Sequence, residues 1–422
     1  MDLNSKDKFI NILVIFLIAF VLRFTFTAFF VGINVPPEKE PEPDAPQYEE
    51  LAMNVIEKGE FVQILDGMVY HAYRSPLWPL CIGGIYKIFG KSRLTVRLFS
   101  ILISSLVPVL IFLMALKLLN YKTAIISAIY TCFYPFYLFY SGLYLTESLF
   151  ITLFYSSLLI IIYMIKEPNL KNSSLAAICL ALTSLARPVT YPVPLFILIG
   201  LIINHGINKK TIKYFSIFTI IFIIFVSPWF IRNYKLFNKF LPGDSHGGMT
   251  FYGAYNPGLL DNKEMIGSWF MPEQKDIPES YRYNYRSDSE LEQNRKFFNL
   301  GKKFIKEYPE WLPYFVYRRF IRFFNFWPNG SLFRKITSFV SYGFLIPFFI
   351  FGIFSLIKDK RTDFVIIYLI ILEILLISLL IVASVRMRNP LDGFFIIFAV
   401  HGFFEIYSKF KIKNTKAELS HE

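Results

Sequence analysis

The sequence predicts an all-α, multi-pass membrane protein, and three observations carry that expectation. Hydrophobic residues make up 55% of the 422-residue chain and charged residues only 18%, with a mean hydropathy of +0.46. A soluble domain cannot hide so much apolar surface from water. The apolar residues fall in runs near 20 long, about the length of helix that crosses a bilayer core. The basic residues between the runs alternate in side. With the N-terminus in the cytoplasm, Lys6/Lys8, Lys117/Lys122, Lys166/Lys171, Lys209/Lys210/Lys213, Lys358/Lys360/Arg361 and Lys409/Lys411/Lys413 all face inward, as the positive-inside rule asks.

On length, spans are expected near 9–31, 97–119, 123–140, 146–165, 173–187, 190–204, 212–231, 333–357, 363–383 and 391–408. The first run, from Phe9 to Val31, is too long for a signal-peptide core and shows no small-residue cleavage site, so it reads as an uncleaved span. The runs 173–187 and 190–204 are short and interrupted by Pro188, Pro192 and Pro194, giving a broken pair. Residues 76–90, with Trp78 and Tyr86, and residues 302–326 read as interfacial helices. The membrane domain is expected over 1–408, with a first outer loop at 38–96 and a large outer loop at 232–332. Residues 409–422 then form a cytoplasmic tail. No internal repeat with a period of about 20–50 residues is present.

Several function classes drop out. The net charge of +13 sits in short clusters between apolar runs, which is topology signalling and not a nucleic-acid face. Cys81, Cys132 and Cys179 lie in apolar stretches with no CxxC spacing and read as packing residues; the histidines show no metal-ligand spacing. Gly243, Gly247, Gly248, Gly253 and Gly258 lack the Lys-Ser/Thr ending of a phosphate-binding loop, which excludes nucleotide binding of that kind.

The polar residues of interest gather at the outer ends of the spans. Asp44 follows an approach stiffened by Pro36, Pro37, Pro41 and Pro43, with Pro46 beyond it. It is either one solvated anion among Glu38, Glu40 and Glu42, or a general base for an attacking hydroxyl. The run Gln47–Lys58 reads as helical and sets Tyr48 one turn from Asp44. Arg74, Arg187, Arg232, Arg386 and Arg388 lie near outer boundaries, where short loops should avoid cations. They either snorkel to lipid phosphates or grip a substrate phosphate bidentately. Glu147, at the outer start of a span, is either a dipole-favoured first-turn acid or a second acid in the same cavity. Glu373, mid-span, reads as a structural buried acid. Trp229 and Asn233 belong to a Ser227–Tyr234 stretch that closes a span at an aromatic belt.

Taken in order, these residues resemble the GT-C membrane glycosyltransferases, specifically the dolichyl-phosphate-mannose protein mannosyltransferase and aminoarabinose transferase (ArnT-like) superfamily. Asp44 to Tyr48 with Leu51, Ala52 and Gly59 is similar to its first-loop pattern, and Arg74-Ser75-Pro76 to its Arg-x-Pro segment. Tyr134-Pro135 with Thr146-Glu147-Ser148-Leu149-Phe150, Ala186-Arg187-Pro188, Pro228-Trp229-Phe230-Ile231-Arg232-Asn233-Tyr234 with Asn256-Pro257, and Arg386-Met387-Arg388-Asn389-Pro390 continue the likeness. Together the motifs run over roughly residues 9–405.

The resemblance implies a GT-C type helical bundle with outward-facing loops and an inverting glycosyltransferase. The implied donor is a polyprenyl-phosphate sugar, hexosyl or pentosyl, and the acceptor a lipid, glycan or protein at the outer face of the cell membrane. Membrane lipids are the remaining partner, and nucleic acid is none. Asp44 and Glu147 are the implied catalytic acids. Tyr48, Arg74, Arg187, Trp229, Arg232, Asn233, Arg386 and Arg388 are the implied substrate-binding residues. No cofactor is required, although a divalent metal is compatible with a family whose members differ on metal use. Two departures stand out: Ala45 follows Asp44 where many relatives carry a second acid, and the C-terminus is expected to lack the extra periplasmic domain of longer members. Two other readings remain. One is a lipid-linked glycan polymerase or ligase. The other is a polyprenyl-lipid transporter or flippase, which would call for internal repeats and charges lining both halves of the membrane.

Overall fold

A computed structural model describes residues 4–328 and 331–419. Helices dominate it, and eight are long and apolar enough to cross a membrane: Ser5–Val31, Arg93–Leu118, Glu147–Lys166, Pro188–His205, Lys209–Phe237, Leu332–Lys358, Thr362–Leu380 and Val385–Phe410. The chain is thus a multi-pass membrane protein. Two of the ten expected spans fall short. The run 123–140 is divided into Tyr121–Cys132 and Pro135–Tyr140. Pro135 has no N–H to continue the ladder and pushes Tyr134 into the extended region. The run 173–187 is the helix Leu170–Ala186, 17 residues long, at the lower limit for a crossing.

The core of the bundle is the Glu147–Lys166 helix, buried along most of its length, packed beside the fully buried Phe394–Ala399 stretch of the Asp392–Leu419 helix. That last helix continues unbroken through 409–419, the first part of the expected cytoplasmic tail; residues 420–422 of the tail lie outside the described residues. It crosses the Leu345–Lys358 helix backbone to backbone. A Cβ at Gly352 would strike the Phe398 carbonyl, and one at Gly402 the Phe348 carbonyl, so small residues set the approach. The opposite extreme is the first helix, whose Phe9, Leu13, Leu17 and Val21 are exposed, an apolar face suited to lipid.

Both long loops lie at the same end of the bundle and are bonded to each other. Tyr70 donates to Gln293 (2.9 Å), and the backbone amides of His71 and Ala72 donate to Glu290 (2.7 and 2.9 Å). Within the first loop Gln63–Leu65 and Met68–Tyr70 form an antiparallel hairpin, an element absent from the sequence expectations. Its turn residues Asp66 and Gly67 have φ of 52° and 79°, the left-handed pair that an Asp-Gly hairpin turn requires. Residues 76–90 form the helix Leu77–Phe89. The 302–326 segment is divided between Glu290–Glu307 and Leu312–Phe323, the latter burying Phe315 and Phe323 while exposing Tyr317, Phe320 and Ile321.

A buried ion pair anchors the first loop to the bundle. Arg97 and Glu40 meet at 2.8 Å with side chains 1% and 0% exposed. Arg97 also donates to the carbonyls of Val35 (2.6 Å) and Gly142, while Glu40 accepts from the Tyr144 amide (3.0 Å). Removing one partner strands the other charge. Arg97→Met is expected to destabilise the protein by about 3–5 kcal/mol, read as a lower unfolding midpoint in detergent, and Arg97→Met/Glu40→Leu is expected to recover most of that loss.

Candidate active site

Asp44 occupies the N-cap of the Ala45–Lys58 helix, yet its side chain caps nothing. Both carboxylate oxygens are turned to arginines instead: Oδ1 to Nη2 of Arg74 at 2.7 Å and Oδ2 to Nη1 of Arg386 at 3.0 Å. Arg74 is oriented by Gln47, one turn into the same helix, which accepts from its Nε (2.8 Å). Its guanidinium also lies over the rings of Tyr48 and Tyr73 at 5.6 and 5.2 Å. Tyr48 is itself buried in the helix–bundle contact.

The membrane bundle supplies the other wall. Arg187 ends the Leu170–Ala186 helix in an extended conformation, as a residue before proline must, and so projects out of the helix end. Its Nη2 meets Oε1 of Glu147 at 2.5 Å and its Nε donates to Thr146 (3.0 Å). Glu147 opens its helix with its side chain 1% exposed, and the same Oε1 accepts from Nε of Arg386. Arg386 sits on the short helix Val385–Arg388, capped by Ser384. It also reaches Glu42 at 3.3 Å. Three arginines therefore interlock with three carboxylates drawn from four separate segments. Each guanidinium keeps one terminal nitrogen free of any partner among the described residues: Nη1 of Arg74, Nη1 of Arg187 and Nη2 of Arg386. Oε2 of Glu147 is likewise buried without a partner among them.

Asp44, Tyr48, Arg74, Glu147, Arg187 and Arg386 are thus brought together, and Glu42, read from the sequence as a solvated loop anion, joins them. The remaining candidates are placed elsewhere. Arg388 is 0% exposed and pairs with Asp392 at 2.8 Å, donates to the Phe323 carbonyl (3.1 Å) and lies 3.3 Å over the Tyr342 ring. It braces the bundle. Arg232 donates to the carbonyls of His71 (2.8 Å) and Phe61 (3.0 Å) between the rings of Trp229 and Phe61, and Asn233 donates to Leu241 (3.1 Å). Trp229, Arg232 and Asn233 clamp the loops that carry Arg74. Glu290, Asp244 and His246, which close the site from the large loop, were not singled out in the sequence. Glu290 reaches Ala72 across 218 residues, a distance no local pattern encodes.

Electrostatics separates the acids. Burial pushes the Asp44 carboxyl up, but Arg74 and Arg386 outweigh it and hold the group below its ordinary value. Burial dominates at Glu42 and raises it despite Arg386. Burial also raises Asp244 to about 6, with Arg74 pulling the other way. His246 is driven down to about 3 by burial and then by Arg74, so its ring is neutral. The site carboxylates are each paired with a guanidinium, and among the described residues no group of three or more His, Cys, Asp or Glu side chains is placed to hold a metal ion.

The sequence model of the dolichyl-phosphate-mannose-protein mannosyltransferase family matches residues 73–231, a narrower stretch than the motif likeness. No curated protein matches the chain. Among solved structures, the oligosaccharyltransferase of Archaeoglobus fulgidus in its apo form is 11% identical, covers 99% of this chain and 52% of its own, and superposes with a TM-score of 0.59. The same archaeal enzyme, AglB, in complex with an inhibitory peptide and a dolichol-phosphate is 12% identical, covers 97% and 52%, and gives 0.55. ArnT from Cupriavidus metallidurans bound to undecaprenyl phosphate is 11% identical over 92% and 77%, with a TM-score of 0.45, a level that does not by itself establish a shared fold. The chain spans about half the length of the archaeal proteins it matches. The bundle is of the expected GT-C type.

The sign of the Asp44 shift fixes a pH dependence. A carboxyl held below its ordinary 3.8 contributes stability that is fully present above that value and is lost as pH falls through the lowered one. The difference in unfolding midpoint between wild type and Asp44→Asn is expected to be constant from about pH 5 to 8 and to shrink only below about pH 4. A difference that collapses near pH 6 would show that the Arg74–Asp44–Arg386 pairing does not form.

Proposed function

For this chain of the GT-C glycosyltransferase fold, we propose an inverting transfer of a sugar from a polyprenyl phosphate to an acceptor hydroxyl at the outer face of the membrane. The observation that carries the reading is the trio of arginines, each tied to a carboxylate through part of its fork and each with a terminal nitrogen to spare. Guanidiniums match the geometry of a phosphate and keep their charge at any working pH. The site lies where the spans meet the loops, so a polyprenyl tail can stay in the bilayer while its phosphate reaches Arg74, Arg187 and Arg386. The solved archaeal oligosaccharyltransferase complexed with a dolichol-phosphate supports a lipid phosphate as the ligand class. The inward lysine clusters support cytoplasmic termini and an outward site.

In this reading the arginines stabilise the charge that grows on the phosphate as the glycosidic bond breaks, an electrostatic contribution made by groups already in place. Glu147 holds Arg187 and Arg386 in register from below. Asp44, ionised between two guanidiniums, accepts a hydrogen bond from the acceptor hydroxyl and takes its proton as the hydroxyl oxygen attacks the anomeric carbon, and the electron pair of the broken carbon–oxygen bond leaves on the phosphate. The transfer proceeds with residues of this chain alone, so a cofactor is not required.

Reconstituted protein supplied with radiolabelled polyprenyl-phosphate hexoses and pentoses and a crude acceptor extract tests the proposal. Wild type is expected to transfer label, and Asp44→Asn to lose about 100-fold or more of that rate with donor binding kept. Undiminished transfer by Asp44→Asn would remove Asp44 from the reaction. Movement of the lipid across the bilayer without cleavage of the sugar–phosphate bond would make the protein a transporter.

A further inference from the structure

The first helix of the bundle carries a cation with no partner of opposite charge. Along Ser5–Phe26 only Ile15, Ala19 and Arg23 are buried, and their four-residue spacing puts them on one face. Arg23 is 0% exposed and forms no ion pair among the described residues. Its Nη1 donates to the Ala19 carbonyl (3.3 Å), one turn back in the same helix. Nε and Nη2 are buried without a partner among the described residues. Those two nitrogens form the side-on edge of the guanidinium, whose parallel N–H bonds make a fork for an anion.

Arg23 lines a cavity of about 10 Å³ together with Ser104, Tyr137, Tyr140, Ser141, Ser148 and two apolar side chains. That volume admits one particle near the size of a water molecule and excludes a phosphate or a sugar. None of the arginine trio or of its carboxylates lines the cavity, so it is a separate site, although Ser148 directly follows Glu147 in the chain. No lining residue is an acid. Tyr137 donates its hydroxyl to the Asn389 carbonyl (3.2 Å). Cys132, at the end of the Tyr121–Cys132 helix, donates its thiol to the Ile15 carbonyl (3.8 Å). Neither therefore supplies a negative charge. The Ser104, Ser141 and Ser148 hydroxyls donate to the carbonyls of Ile101, Leu138 and Tyr140 at 3.1, 2.7 and 3.0 Å. A hydroxyl rotates about its C–O bond and can turn its proton to an ion instead.

We propose that this cavity binds one chloride ion in the Nε/Nη2 fork of Arg23, with hydroxyls of the lining residues completing its shell. Charge decides between an anion and a water. A guanidinium does not deprotonate in a protein, so it cannot shed its charge as a buried lysine does. A water would satisfy the N–H groups and leave the charge unmatched, in surroundings where an unpaired ion is costly. A monatomic anion meets both demands within the volume. Bound there, it joins the first helix, whose other faces are turned to lipid, to the Pro135–Tyr140 and Glu147–Lys166 helices.

The test is thermal unfolding of the full-length protein in detergent, with sodium chloride exchanged for sodium gluconate at constant sodium. Gluconate is too large for the cavity. Wild type is expected to gain about 1–4 °C in unfolding midpoint for each tenfold rise in chloride once the site begins to fill, and bromide should replace chloride. Arg386→Gln should keep that dependence, which separates this cavity from the arginine trio. Arg23→Met should lose it, and in gluconate should be at least as stable as wild type because the unmatched charge is gone. Crystals of wild type grown in bromide should show an anomalous peak beside Nε and Nη2 of Arg23, a measurement that stands even if Arg23→Met does not fold. A wild-type midpoint equal in chloride and gluconate would overturn the proposal. So would a chloride dependence that Arg23→Met retains in full, or bromide peaks found only outside the cavity.

Discussion

Arg386 is the residue on which the architecture of the site turns. Of the three site arginines it alone bonds both to the first loop, through Glu42 and Asp44, and to the membrane bundle, through Glu147. Charges are costly to hold in the partly dry space between loop and bilayer unless each is matched. The match here is collective: Glu147 shares one oxygen between Arg187 and Arg386, and Asp44 is divided between Arg386 and Arg74. Moving any one segment would leave a charge stranded in another. That constraint is why a proline-stiffened loop, a helix end broken by Pro188 and a four-residue helix between two spans can present their side chains to a common point.

The outer loops serve that point indirectly. Arg232, Glu290 and Ser245 bond to the backbone of residues 61–72, and the Arg97–Glu40 pair holds the approach to Asp44 from the other side. The side chains that meet the substrate in the proposed reaction are few. The larger number fix the loops in which those side chains sit, and they do so through backbone carbonyls and amides, which fold geometry commits and side-chain rotamers do not.

Much of this was legible in the sequence because membranes simplify it. Apolar run length fixes most spans, basic clusters separate the two ends, and arginines at the unexpected end draw attention to Arg74, Arg187 and Arg386. The misses have physical causes. Arg388 shares the outer boundary with Arg386 but points into the bundle, where Asp392 lies four residues on, a helical pairing distance legible in the sequence. The Asp66-Gly67 pair is a hairpin signal legible in the sequence, inside the stretch expected as the first outer loop. Pro135 divides a run that hydropathy alone joins. Glu40–Arg97 and the Glu290 contacts pair residues far apart in the chain, and only the assembled fold brings them together.

The central claim is that the arginine trio, drawn together by carboxylates, is a seat for a lipid phosphate. The most direct measurement is the affinity of undecaprenyl phosphate for the protein in lipid nanodiscs, compared between wild type and Arg386→Gln, with unfolding midpoints to confirm that both are folded. Loss of one charge-assisted contact of about 1.5–3 kcal/mol predicts binding weakened at least about tenfold. Equal affinities in two folded proteins would mean that the trio serves only to hold the loops, and the lipid phosphate would have to be sought elsewhere.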